Sequence, residues 1–289
     1  LGGKLEGAAA AGLLALYAFG IGKAALMPLH RWLPAAMVAP TPVSALLHAV
    51  AVVKAGVFTL TKVVLYTFGT DFLARVPNEK IAIYIAGFTV VAASVVALRQ
   101  QNLKRLLAYS TIAQLSYVVM ATMALTAYAE IGAAVHMVAH AFGKITLFFA
   151  AGAIYVAARK TEVGQLNGIA RRMPWTMTAF TIGALTMIGV PPTGGFVSKW
   201  FLVAGAFQLE SYFMVAVLVV STALNAAYFL PIVFRAFFLP EREPPAREHG
   251  EAPWAMVAAL SFTALLSLLF FVFNGPVLEL EQGLVGGTP

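Results

Sequence analysis

Residues 130–158 read EIGAAVHMVAHAFGKITLFFAAGAIYVAA. Crossing a hydrocarbon core takes about 20 apolar residues as a helix but only about 9–11 as a tilted strand. The run is therefore long enough for a helix and too long for a barrel strand, and it lacks the period-2 alternation a barrel needs. Its titratable interruptions, His136, His140 and Lys144, fall at i, i+4 and i+8 and so line one helix face. A helical membrane span with proton-exchanging groups at depth is the reading that decides the rest.

Working outward, similar apolar runs lie near 8–27, 43–68, 80–98, 104–127, 174–208, 212–239 and 252–275. The chain is 61% hydrophobic and 11% charged, with a mean hydropathy of +0.85, where a soluble domain carries roughly a quarter charged residues. The expected fold is all-α: one polytopic transmembrane bundle over residues 1–289, with about eight spans and no room for a sizeable soluble domain. The absence of cysteine excludes thiolate-held clusters, cysteine zinc sites, disulfide scaffolds and Cys nucleophiles. The chain starts at Leu1 and its first stretch lacks the basic n-region and cleavage site of a signal peptide. The expectation is that an N-terminal portion is missing or that the numbering begins inside a longer protein.

Two stretches should break helices. After the first span come Pro28, Pro34, Pro40 and Pro42; inside the 174–208 run, Pro191, Pro192, Gly194 and Gly195 interrupt an otherwise apolar segment. Proline removes a backbone donor and glycine loosens the chain, which frees polar backbone groups that lipid cannot satisfy. Irregular backbone at such depth lines an enclosed or watery cavity; the alternative is a kink repacked against its neighbours.

If each later run crosses once, one side receives Arg31, Arg99, Lys104, Arg105, Arg159, Lys160, Arg171, Arg172, Arg235, Arg242 and Arg247, and the other only Lys4, Lys62, Arg75 and Lys80. Eleven against four makes the first side cytoplasmic and explains the basic composition without a nucleic-acid partner. Four lysines remain inside the runs: Lys23, Lys54, Lys144 and Lys199. A charge at the bilayer centre costs several kcal/mol, so such groups face a bundle interior or an ion path. One stranded lysine could be a tether; four on separate runs point to transport.

His48 shares a run with Lys54, and with His136 and His140 it completes a set able to exchange protons near neutral pH. The HxxxH spacing could also hold a metal, although no carboxylate or cysteine lies near it and HExxH is absent, or the histidines could be hydrogen-bonded structurally. All twelve acidic residues, Glu6, Asp71, Glu79, Glu130, Glu162, Glu210, Glu241, Glu243, Glu248, Glu251, Glu279 and Glu281, sit at run ends or in loops. A protonated buried lysine wants a counter-ion, so the partner acid should come from another chain or a missing segment, or the lysines spend much of their time neutral.

The stretches 22–48, 102–117, 140–144 and 194–199 closely resemble the antiporter-like proton-translocating subunits shared by respiratory complex I and multisubunit Mrp-type Na+/H+ antiporters. They include Pro28-Leu29-His30-Arg31-Trp32-Leu33-Pro34, Pro40-Thr41-Pro42-Val43-Ser44-Ala45-Leu46-Leu47-His48, His140-Ala141-Phe142-Gly143-Lys144 and Gly194-Gly195-Phe196-Val197-Ser198-Lys199. The segments 173–176 and 188–193 look most like the D-type Mrp subunit. The resemblance implies two inverted five-helix half-channels, each with a broken helix, and a lysine and histidine axis across the membrane. By the same resemblance Lys23 belongs to the first broken helix, Lys54 is the central connecting lysine, Lys144 lies on the axis and Lys199 belongs to the second broken helix. His48, His136 and His140 fall where the family places polar groups. Family members carry further N-terminal helices, one with a glutamate that pairs with the first lysine; this chain resembles the C-terminal part of the pattern.

The expected function is that of a proton-translocating subunit of a monovalent cation (Na+)/H+ antiporter in a bacterial inner membrane. Other membrane subunits would be its partners, and one of them, or an N-terminal segment, would supply an intramembrane Glu. No cofactor is expected of the chain itself. The alternative is a proton-pumping subunit of complex I or a related membrane-bound hydrogenase.

Overall fold

The computed structural model describes residues 7–76, 80–241 and 250–285. Lys4, Glu6, Glu79, Arg242, Glu243, Arg247 and Glu248 lie outside the described residues, as does the side chain of Glu281. The longer helices are α1 (Gly7–Gly20), α2 (Thr41–Phe68), α3 (Lys80–Leu98), α4 (Leu103–Thr122), α5 (Ala127–Ala158), α6 (Pro174–Ile188), α7 (Gly194–Gln208), α8 (Tyr212–Phe238), α9 (Trp254–Val272) and α10 (Gly275–Val285). Among the described residues there is no strand, only an isolated antiparallel bridge between Asn102 and Glu162.

The run at 174–208 is two helices, α6 and α7, parted at 189–193. Gly189 adopts a left-handed φ of 83° and turns its N–H back to Leu185 O at 2.8 Å, which ends α6. Several boundaries differ from the hydropathy reading, among them the end of α4, at Thr122 instead of near 127. The first helix stops at Gly20, so Lys23 lies in a 3₁₀ turn, Gly22–Ala24, beyond it. Pro40 and Pro42 open α2 instead of breaking a helix at depth: Pro40 precedes it and Pro42 occupies its first turn, where no intrahelical donor is lost. Two π-helical segments lie within α2, Leu46–Val50, which carries His48, and Val63–Phe68. An eleven-residue helix, α10, follows the last run and has no counterpart among the expected spans.

Among the described residues five helices are long and apolar enough to cross a membrane by length and composition: α2, α3, α5, α8 and α9. The expected count was about eight. α6 and α7 are each half a broken run, α1 is short, and α4 is studded with Ser110, Thr111, Gln114 and Ser116, which it can carry because it is buried on nearly every side. α4 and α5 form the middle of the bundle, with α5 packed against α2, α4, α6, α7 and α9.

The apolar interior is divided. One cluster takes residues 112–121 of α4, Ala129 and Ala133 of α5, and 214–218 of α8. A second takes 103–108 of α4, 147–154 of α5 and 228–236 of α8, and a small third joins Ile131, Val135 and Ala139 of α5 to Phe270 of α9. On each helix a buried polar stretch lies at the join: Ser110 and Thr111 on α4, His136 to Lys144 on α5, Ser221 and Asn225 on α8. The fold thus places a polar layer between the two larger apolar clusters.

At one end of the bundle the basic loops are tied together. Leu103 N donates to Thr161 O at 2.9 Å, Val163 N to Gln101 O at 2.8 Å and Gly168 N to Arg235 O at 3.0 Å. Glu241 bridges Lys160 at 3.2 Å and Arg172 at 3.1 Å. Partial burial acts to raise the Glu241 pKa, but the hydrogen bonds and charges of Lys160 and Arg172 outweigh it and hold the carboxyl below the usual carboxylate range. Lys104 Nζ donates to Ala39 O at 2.6 Å, which brings the 36–41 turn to the same end.

Candidate functional site: the buried lysine and histidine layer

Three of the four lysines singled out in the sequence finish on a backbone carbonyl. Lys54 Nζ donates to Met137 O at 2.7 Å, Lys144 Nζ to Leu107 O at 3.1 Å, and Lys199 Nζ to Ile188 O at 2.7 Å. The last follows from the break. Ending α6 at Ile188 leaves its final carbonyls without intrahelical donors, and a cation there is favoured by the helix dipole. Lys199 also donates to Thr222 Oγ1 of α8 at 2.9 Å. Lys144 is fully buried, with its amine 5.7 Å from the centre of the Phe229 ring, and Lys199 is 8% exposed, its amine 5.5 Å from the Tyr117 ring centre.

The histidines lie between these amines. His136 and His140 stand 6.0 Å apart, centre to centre, as their i, i+4 spacing requires. His136 Nδ1 lies 3.0 Å from Ser198 Oγ, next in sequence to Lys199, and Lys54 reaches the α5 carbonyl between the two histidines. His48 packs against Phe148 at 5.1 Å between ring centres. Among the described residues, neither ring nitrogen of His48 or His140, nor Nε2 of His136, has a hydrogen-bond partner. Buried imidazole nitrogens ordinarily find one.

Lys23 is not gathered with the others. It is exposed, on a turn that Trp32 Nε1 holds by donating to Gly22 O at 2.9 Å. That turn presses on α2 at Gly56, where a Cβ would stand 2.5 Å from Ala24 N, so only glycine permits the approach. Pro28, Pro40, Pro42, Pro191 and Pro192 are exposed, whereas Gly194 and Gly195 are buried in helix contacts.

The structure adds a group the sequence reading passed over, the polar face of α8. Ser221, Asn225 and Tyr228, at i, i+4 and i+7, are buried with Thr222 beside them. Tyr117 and Ser221 hydroxyls lie 2.5 Å apart, and Tyr228 hydroxyl bonds Ser110 Oγ at 3.0 Å and Asn225 Oδ1. That spacing, in a run otherwise apolar, was the available signal. A cavity of about 610 Å³ opens at the basic end, lined in part by Ala39, Pro40, Thr41, Lys104, Tyr155 and Lys160.

These features define a multi-pass helical membrane protein with a titratable layer at mid-bundle. Residues 3–225 match the family described as NADH:quinone oxidoreductase/Mrp antiporter, TM, and the chain belongs to that family. Subunit N of the NADH-quinone oxidoreductase of Desulforudis audaxviator (strain MP104C) is 40% identical over 233 residues, 80% of this chain and 46% of that protein. The fold matches a chain of the Mrp complex from Dietzia sp. DQ12-45-1b with a TM-score of 0.87 at 22% identity, over 96% of this chain and 59% of that one. It matches a chain of the membrane-bound sulfane sulfur reductase, an archaeal respiratory membrane complex, with a TM-score of 0.84 at 28% identity, over 99% and 57%. The chain spans less than half the length of the curated relatives it matches.

Proposed function

We propose that the chain moves protons across a membrane as one subunit of a larger complex, using Lys54, Lys144 and Lys199 with His48, His136 and His140 as its titrating groups and coupling their flux to a monovalent cation such as Na+. The observation that carries this reading is the polar layer itself: buried amines and imidazoles held between two apolar clusters and satisfied by carbonyls and hydroxyls. A structural layer would be expected to be charge-neutral and fully paired; this one leaves buried imidazole nitrogens without a hydrogen-bond partner among the described residues. The cavity beside Lys104 and Lys160 would serve as the mouth on the cytoplasmic side of a bacterial inner membrane, and the break beside Lys199 would admit water to it. Lys23 would enter the axis when a further helix, from another chain or another segment, covers its turn and brings a glutamate to it.

A second reading, a proton pump driven by redox chemistry in partner subunits, is favoured by the 40% identity to an NADH-quinone oxidoreductase subunit. Reconstituting the intact complex in vesicles distinguishes the two. An imposed Na+ gradient should drive proton flux that Lys199→Ala abolishes; flux that ignores Na+ and requires an electron donor supports the second reading. Undiminished flux in both Lys54→Ala and Lys199→Ala would overturn the proposed axis under either.

A further inference from the structure

The cavity of about 610 Å³ at the basic end is apolar along one helix and cationic where that helix stops. Phe149, Gly152 and Val156, at i, i+3 and i+7, line it from one face of α5, a rise of about 10 Å. α5 ends at Ala158, and Lys160 lines the cavity just beyond that end. The bond from Leu103 N to Thr161 O brings the first turn of α4 to the same level, with Lys104 in the wall. At Gly152 a Cβ would stand 3.1 Å from Thr41 Cγ2, which seats the start of α2 against this wall. Val38, Tyr155 and Val156 in the lining are exposed, so the cavity is an open groove rather than a closed chamber.

We infer that this groove binds an anionic phospholipid, its phosphodiester facing Lys104 and Lys160 and an acyl chain lying along Phe149, Gly152 and Val156. An ammonium carries three donors. Lys104 uses one on Ala39 O at 2.6 Å and Lys160 one on Glu241 Oε1 at 3.2 Å, so both keep N–H groups for an anion. Glu241 divides its oxygens between Lys160 and Arg172, and among the described residues no carboxylate pairs with Lys104. A third cation stands at the same end, the Arg159 guanidinium 5.3 Å over the ring of Tyr155. The excess positive charge selects an anionic headgroup over a zwitterionic one, and the apolar face selects a lipid over a free phosphate. The binding site stands apart from the proposed transport role; its consequence rests on that role. Ammonium groups at the mouth of a cation path repel what must enter, and a phosphodiester would supply the negative charge that the chain lacks there.

The test reconstitutes the intact complex in phosphatidylcholine vesicles containing phosphatidylglycerol with a photoreactive diazirine in one acyl chain. After irradiation the labelled peptides are mapped. Label should concentrate on residues 149–156, and unlabelled phosphatidylglycerol should displace it where added phosphatidylcholine does not. Lys104→Gln with Lys160→Gln should weaken that binding about thirtyfold, the loss expected for two basic residues at a membrane surface. Val156→Trp keeps both ammonium groups but fills the apolar wall, and it should remove the label from 149–152 even where the double variant sheds subunits. Label spread evenly over other exposed apolar positions such as Phe234 and Phe262 would overturn the inference. Equal displacement by phosphatidylcholine, or displacement by inorganic phosphate alone, would do the same. Wild-type flux in Lys199→Ala would instead overturn the transport role and leave the lipid site standing.

Discussion

Gly195→Ala asks whether Lys199 depends on how closely α7 approaches α6. A Cβ built at Gly195 lies 1.8 Å from Thr186 O and 2.8 Å from Thr186 C, both backbone atoms in the body of α6. Thr186 cannot readily retreat, because its hydroxyl bonds Ile182 O at 2.8 Å and Ser267 Oγ of α9 at 2.6 Å. The start of α7 must therefore back away by more than an ångström before the contact reaches the 3.0 Å that real Cβ atoms respect. Lys199 is one turn further on. A shift of that size carries its amine out of reach of Ile188 O, now 2.7 Å away, unless the side chain stretches to follow. Overpacking of this kind costs about 1–3 kcal/mol, and a hydrogen bond from a charged group contributes about 1.5–3 kcal/mol. At about 1.4 kcal/mol per decade, losing that bond at the rate-limiting charge state slows flux about tenfold to a hundredfold. Gly194→Ala meets the Phe270 ring at 2.5 Å, a side chain that can turn aside, and Gly164→Ala meets nothing within 4 Å. Proton flux in vesicles should fall in the order Gly164→Ala, Gly194→Ala, Gly195→Ala, with subunit retention measured on the solubilised complex. Flux in Gly195→Ala equal to that in Gly164→Ala would refute the dependence of Lys199 on the α6–α7 contact.

Other outcomes follow from the same geometry. Lys54→Ala should abolish coupled flux and leave assembly intact, since its bond to Met137 O is one contact among the many made by α2; a complex that loses subunits instead would mark Lys54 as a tether. Cysteines placed at positions 99, 159 and 235 should react with a membrane-impermeant label from the cytoplasmic side alone, and labelling from outside would reverse the topology. Glu241 has its pKa depressed in the fold, so its ion pairs contribute stability above the ordinary glutamate pKa and lose it as pH falls through the folded value. Thermal unfolding of the solubilised complex should show that acid-side loss in the wild type and less of it in Glu241→Gln; identical pH profiles would show that the pairs add nothing.

The helical class and most spans were legible because apolar length is a one-dimensional property that lipid reads directly. That an amine inside an apolar run must find a polar group was an expectation from the sequence; which atoms receive Lys54, Lys144 and Lys199 was not legible, because the carbonyls of Met137, Leu107 and Ile188 carry no side-chain signature. The glycines at 194 and 195 read as helix breakers, yet both lie inside α7, and their task is close packing on Phe270 and Thr186. Composition cannot separate those roles because each asks for the same missing Cβ. Four substitutions of Pro191, Pro192, Gly194 and Gly195 by alanine would thus wedge α7 from α6 before straightening it. The polar face of α8 was under-read because hydropathy averages around a helix, whereas Asn225 and Tyr228 matter by the side they face.

What holds each buried amine decides how easily its proton can be moved. Separating a buried ammonium from a fixed carboxylate costs about 3–5 kcal/mol, more than the 2.3 kcal/mol or so that 100 mV supplies per elementary charge. A carbonyl accepts from the amine in either protonation state and contributes about 1.5–3 kcal/mol to the charged form, a difference that a membrane potential or a neighbouring charge can match. Lys54, Lys144 and Lys199 each end on such a carbonyl. They are thereby held in place without being held in one charge state, which a relay driven by potential requires and a structural ion pair forbids. The same comparison constrains any carboxylate supplied to Lys23 from elsewhere. For that lysine to turn over in the proposed relay, the acid must be able to approach and withdraw, because a permanent pair would lock its proton.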